Sequence, residues 1–200
     1  GSTNKTWNAF ARNNENSLLL PSPTLAQGYA REFEALFGGQ KEGLGQPVAF
    51  ALEGVEGVAY FSPRGGRLAR EALLKRLSEA QREVLVAAFV LTDREVLEAL
   101  LQARRRGAEV KVLLETRNLG TSREEALLEE GLEVRQDANP YTMHHKVMLL
   151  DGTYVVTGSY NFSVRAHEVN NENLLVLKSP SLAERYRKEV LRLWEAGSPL

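Results

Sequence analysis

Cysteine is absent from the 200 residues, which excludes disulfide bonds, thiol nucleophiles and thiolate-bound metal. No apolar run approaches the ~20 residues that a bilayer-spanning helix needs, and no signal-like segment opens the chain. Neither sign of charge is in excess, since 25 Lys and Arg stand against 26 Asp and Glu for a formal net charge of -1. That balance excludes a globally basic nucleic-acid binder, so any attraction for a polyanion has to come from a local patch. What is present is an ordinary globular composition, 43% hydrophobic and 26% charged, sufficient for a buried core.

The polar residues that stand out lie between 144 and 161. His144 and Lys146 are two apart at the head of an apolar run ending at Leu150, and Asp151-Gly152 is a strong hairpin signal before a returning strand from Tyr154 to Thr157. Alternate side chains of an extended strand share a face, so His144 and Lys146 are expected to project together, with Val147 and Leu149 opposite. Ser159 and Asn161 then leave the returning strand beside them. An imidazole, an ammonium, a hydroxyl and an amide at one spot suit a phosphoryl group, offering a nucleophile or acid and three hydrogen-bond donors.

The pattern His-x-Lys, four residues, Asp, six residues, Gly-Ser-x-Asn is met by His144, Lys146, Asp151, Gly158, Ser159 and Asn161. It resembles the signature of the phospholipase D superfamily. Tyr60 to Pro63, Arg106 to Val112 and Asn170 to Asn173 are similar to the small bacterial endonucleases of that superfamily, and the resemblance covers roughly residues 57 to 195. It implies an α/β fold, a phospholipase D-like layered fold whose mixed sheet is flanked by helices. It also implies a metal-independent phosphodiesterase, needing no cofactor, in which one histidine attacks phosphorus to form a phosphohistidine and a second protonates the leaving oxygen. His144 would be one of the two, Lys146, Ser159 and Asn161 would bind phosphoryl oxygens, and Glu172 would orient the histidine. Asp151 belongs to the motif, although counting by twos sends it to the opposite face at the hairpin mouth. Arg165 is a candidate substrate contact, His145 reads as a core histidine and His167 as a solvent-exposed one. Nuclease activity on nucleic acid is the first expectation; a phospholipase D or cardiolipin-synthase-like phosphatidyltransferase and a DNA-binding scaffold with a vestigial site are the alternatives. Stable membrane insertion is not expected, and a bacterial cytoplasm or cell envelope remains open.

The chain also repeats itself. Displaced by 157 positions, residues 1–37 match residues 158–194 without a gap at 17 identities, among them Ser2 with Ser159, Asn4 with Asn161 and the run Asn13 to Asn16 with Asn170 to Asn173. Residues 1–37 therefore read as the C-terminal remnant of a first copy, 38–47 as a Gly-rich linker and 48–200 as a complete second copy. On that reading Ser2, Asn4 and Glu15 are a half-set of substrate-binding residues. The second histidine would come from a missing upstream segment or from a homodimer partner.

Between these landmarks the patterning predicts helices over 68–82, from Thr92 to Arg106 and from Thr121 to Glu130, the latter two opened by capping boxes. Strands are expected over 83–90, 109–115, from 132 and over 173–177, and a final helix over 180–195. Residues 13–37 should reproduce the last strand and helix.

Overall fold

Strand and helix alternate along most of the chain, and the computed structural model describes all 200 residues. The elements are α1 (Trp7–Ala11), α2 (Pro23–Phe37), β1 (Val48–Leu52), β2 (Val55–Phe61), α3 (Gly66–Glu79), β3 (Glu83–Ala88), α4 (Arg94–Arg105), β4 (Glu109–Leu114), α5 (Glu124–Glu129), β5 (Glu133–Gln136), β6 (Lys146–Leu150), β7 (Tyr154–Gly158), α6 (Val164–Glu168), β8 (Asn173–Lys178), α7 (Pro180–Ala196) and β9 (Ser198–Pro199). All nine strands form one mixed sheet in the order β1-β2-β8-β7-β6-β3-β4-β5-β9. Only β3, β4 and β5 run parallel to one another, linked by α4 and α5. The remaining neighbours are antiparallel.

Helices cover both faces, so β6 at the centre is buried along its whole length, as a strand covered on both sides must be. Its alternation divides the core. Met148 and Leu150 pack with Leu73, Leu77, Leu100 and Leu127 beneath α3, α4 and α5. Val147 and Leu149 pack with Leu25 of α2 and with Val190, Leu193 and Trp194 of α7 on the other face. Burying each such aliphatic side chain contributes ~1.5–3 kcal/mol. No helix is long and apolar enough to cross a membrane.

Three local expectations are corrected. Asp93, not Thr92, caps α4, its carboxylate accepting the Glu95 N–H at 3.0 Å. Thr121 caps nothing; its hydroxyl donates to the Asn118 carbonyl, and α5 begins after Arg123, which sits in the left-handed region at φ 53°. Residues 13–37 reproduce the helix but not the strand. Ser22 caps α2 through the Leu25 N–H just as Ser179 caps α7 through that of Leu182, with proline next in both. Residues 15–20, however, lie outside any strand. Of their counterparts, residues 173–177 pair with β2 and 174–177 with β7, and the chain holds no second β2 or β7 to offer the first segment.

Candidate active site

The site forms where β6 begins and β7 ends. Extending the β6–β7 register of Met148 with Val156 by two pairs brings Gly158 opposite Lys146. Gly158 has φ +148°, and a Cβ there would lie 2.1 Å from the Asn173 carbonyl oxygen, so glycine is required for β7 to pass β8 and release Ser159 beside His144 and Lys146. Strand β6 begins at Lys146 and His144 lies just before it, in an extended segment that Asn14 joins by a bridge to Met143. The His144 N–H donates to the Asn14 carbonyl at 2.9 Å. Buried Glu115 holds the same segment by accepting the Met143 N–H at 2.6 Å.

His144 and Lys146 do project together, and both rest on Phe89. The His144 ring meets the phenyl edge-on at 4.7 Å between centroids, and Lys146 Nζ lies 4.6 Å from the phenyl centroid. Lys146 is only 3% exposed. Burial pushes its ammonium down to about 7, against the opposing pull of the Glu15 and Glu172 carboxylates. Its one protein partner is the His144 carbonyl, to which Nζ donates at 2.8 Å. The Asn161 side-chain oxygen is buried without a partner. Lys146 Nζ keeps N–H donors that an anionic oxygen would take, whereas the unpaired Asn161 oxygen is an acceptor and would need a donor such as a hydroxyl.

The carboxylate on His144 is Glu15, not Glu172. His144 Nδ1 lies 3.0 Å from Glu15 Oε2 and 3.1 Å from the Ser2 carbonyl. Both partners only accept, so Nδ1 carries the proton and Nε2 is the nitrogen left for chemistry. Ser2 donates its hydroxyl to the same Oε2 at 2.7 Å, and Asn13 Nδ2 donates to Oε1 at 3.3 Å. Glu172 makes the Asn13-type bond alone, accepting from Asn170 Nδ2 at 3.2 Å. No histidine stands where His144 would be its counterpart. Ser159 accepts from the Asn173 backbone and side-chain N–H groups at 3.1 and 3.2 Å.

Other predicted residues lie elsewhere. Asp151 is at the far end of the hairpin, in the left-handed region at φ 54°. Its carboxylate accepts the backbone N–H groups of Gln81, Arg82 and Glu83 at 2.8–3.0 Å, fastening the hairpin to the α3–β3 junction. That is a structural role, which corrects its place in the catalytic set. Burial raises the Asp151 carboxyl, but those N–H groups outweigh it and hold it below the usual range. Asn4 and Arg165 are exposed and their side chains bond to none of the others. His145 is buried, as expected, and burial lowers it to about 4. His167 is buried rather than exposed, because α6 docks so closely on α3 that a Cβ on Gly66 would lie 1.8 Å from the His167 carbonyl. A groove of about 790 Å³ opens between β1, β2 and α3 and includes no motif residue.

A family model described as cardiolipin synthase, PLD-like domain matches residues 73–194. The chain belongs to the phospholipase D superfamily. Its relatives within that superfamily include a mitochondrial cardiolipin hydrolase of Xenopus laevis, 36% identical over 64% of this chain and 61% of the relative. A phospholipase D of Rickettsia typhi is 33% identical over 63% of this chain and 62% of its own length. The chain thus spans about three fifths of the length of these relatives. The crystal structure of Nuc from Salmonella typhimurium, a phospholipase D family member, superposes with a TM-score of 0.68 at 30% identity. The match covers 98% of Nuc and 73% of this chain, so nearly a whole Nuc polypeptide is accounted for and part of this phospholipase D-like chain is left over.

Sequence reasoning missed Glu15 as the partner of His144, and it missed Phe89, Asn16 and the tyrosines of α2 and α7. The tyrosines carried a usable signal, since Tyr29 and Tyr186 are 157 apart.

Proposed function

We propose that the chain is the greater part of a two-motif phosphodiesterase that cleaves nucleic acid without a metal, with His144 supplying one of its two histidines. The observation that carries this reading is the Glu15–His144 contact, made beside buried Lys146. Nε2 of one histidine attacks phosphorus; as the P–N bond forms, the P–O bond to the leaving group breaks and the other histidine protonates that oxygen. Water then cleaves the P–N bond and returns its proton to the second histidine. Glu15 stabilises the imidazolium of His144 in either role, and Lys146, Asn161 and Ser159 take the charge that builds on the phosphoryl oxygens.

The two-motif part of the proposal divides the chain into residues 1–37, 38–47 and 48–200, and the exposure of α2 supports it. Phe33 and Phe37 are 64% and 85% exposed, whereas their counterparts Val190 and Trp194 are 3% and 5% exposed on a sheet. The first segment carries the face for a sheet of its own. The names of the Xenopus and Rickettsia relatives favour a second reading, with a phospholipid diester as substrate.

The test is a tandem in which residues 38–157 are duplicated ahead of Gly1, which restores the 157-residue register and a second His-x-Lys. The tandem is assayed with a chelator on plasmid and single-stranded DNA and on cardiolipin vesicles, beside its double His→Ala variant. Chelator-resistant DNA cleavage lost in the variant is the expected result. Vesicle hydrolysis alone moves the assignment to lipid, DNA binding without cleavage leaves a scaffold, and full DNA cleavage by the original chain as a strict monomer overturns the two-motif reading.

A further inference from the structure

The two tyrosines of the repeat make the same unusual bond in opposite directions. Tyr186 of α7 donates its hydroxyl to Asn16 Oδ1 at 3.0 Å, and Tyr29 of α2 donates to Asn173 Oδ1 at 3.0 Å. Each asparagine directly follows a carboxylate, Glu15 or Glu172, and each tyrosine sits on the helix belonging to the other segment. Burial raises both phenols to about 12, so both hydroxyls keep the proton they donate.

From Tyr186 the bonds continue to His144. Asn16 Oδ1 also accepts the Thr157 hydroxyl at 2.9 Å, and Asn16 Nδ2 donates to His145 Nδ1 at 3.1 Å. The Asn16 backbone N–H donates to Ser2 Oγ at 3.1 Å, Ser2 donates to Glu15 Oε2, and Glu15 accepts from His144 Nδ1. No residue between Asn13 and Asn16 has the ladder of a strand to hold it, apart from the single bridge at Asn14. Backbone bonds hold Asn14 to Thr142 and His144, and the Asn16 side chain fastens the other side of Glu15.

We infer that Tyr186 and Tyr29 are positioning residues, each fixing through its asparagine the carboxylate that orients the opposite copy's pair of reacting groups. This rests on the two-copy reading and adds to it a coupling, because the histidine of one copy is aligned only when that copy's own last helix grips the carboxylate segment of the other.

The chain itself tests this, through solvent exchange of the His144 Nδ1 proton followed by NMR of labelled histidine. Tyr186→Phe, which removes only the hydroxyl, should accelerate exchange about fivefold, the worth of one neutral hydrogen bond. Tyr29→Phe, the same change at the matched position on the Glu172 side, should leave it unchanged. Equal acceleration by both would mean general loosening and overturn the inference, as would no effect of Tyr186→Phe. If Tyr186→Phe does not fold, Thr157→Val removes the other donor to the same oxygen and has to give the acceleration in its place. Glu15→Ala separates the two levels: if it leaves the proton as protected as before, the site reading itself fails, whereas a loss there with no effect of Tyr186→Phe sinks the tyrosine coupling alone.

Discussion

Lys146 is the residue whose energetics and function conflict most. Its ammonium is buried with one carbonyl partner and a phenyl ring, a poor exchange for water. Because burial lowers its folded value to about 7 from the ordinary 10.5, the unfolded chain binds more protons between those values and stability rises with pH across that window. Lys146→Met should remove the rise, increase the melting temperature at pH 7 and abolish binding of inorganic phosphate, all measurable by calorimetry. Asp151 is the converse case. Its folded value is depressed, so its contribution is present above the unfolded value of ~3.9 and lost as pH falls through the folded one. Asp151→Ala should cost ~1–3 kcal/mol in urea denaturation by leaving backbone N–H groups unpaired, while phosphate affinity stays as it was.

At the scale of elements, α2 and α7 are one helix sequence in two environments. Trp194→Ala opens a cavity against the sheet and should cost ~3–5 kcal/mol. Phe37→Ser and Phe33→Ser, at matched positions on α2, should each fall within ~0.5 kcal/mol of the parent in the same denaturation experiment. Equal costs on both helices would mean that α2 is covered after all. The comparison also explains what patterning could and could not reveal. The periodicity of α7, the Asp151-Gly152 hairpin and the His144, Lys146, Ser159, Asn161 spacing are local, so they are legible one residue after another. The cap at Asp93 was hidden by Thr92 and Glu95, which match the capping-box pattern equally well. Residues 15–20 look like β8 and do not form a strand, because strand formation depends on neighbours that no local pattern records. His167 was misread for the same reason, its burial being set by Gly66 a hundred positions away in sequence.

Across the whole molecule the decisive pairing is between Glu15 and His144, 129 residues apart. The repeat discloses that Glu15 and Glu172 are equivalent, but equivalence does not say which carboxylate meets which histidine. Only the folded chain shows the crossing. The exposed faces of α1 and α2, with Trp7, Phe10, Phe33 and Phe37 on them, should make the chain self-associate as concentration rises. Sedimentation velocity should find the tandem monomeric at concentrations where the original chain is not, and equal behaviour of the two would argue against a sheet covering those faces.

The bond from Tyr186 to Asn16 spans 170 positions, a separation that makes its closure a late event in folding. A ribosome therefore displays the histidine well before it releases the helix that steadies the carboxylate behind it. While α7 is still inside the exit tunnel, the His144 imidazole of the nascent polypeptide has no Tyr186 to anchor the carboxylate segment behind it.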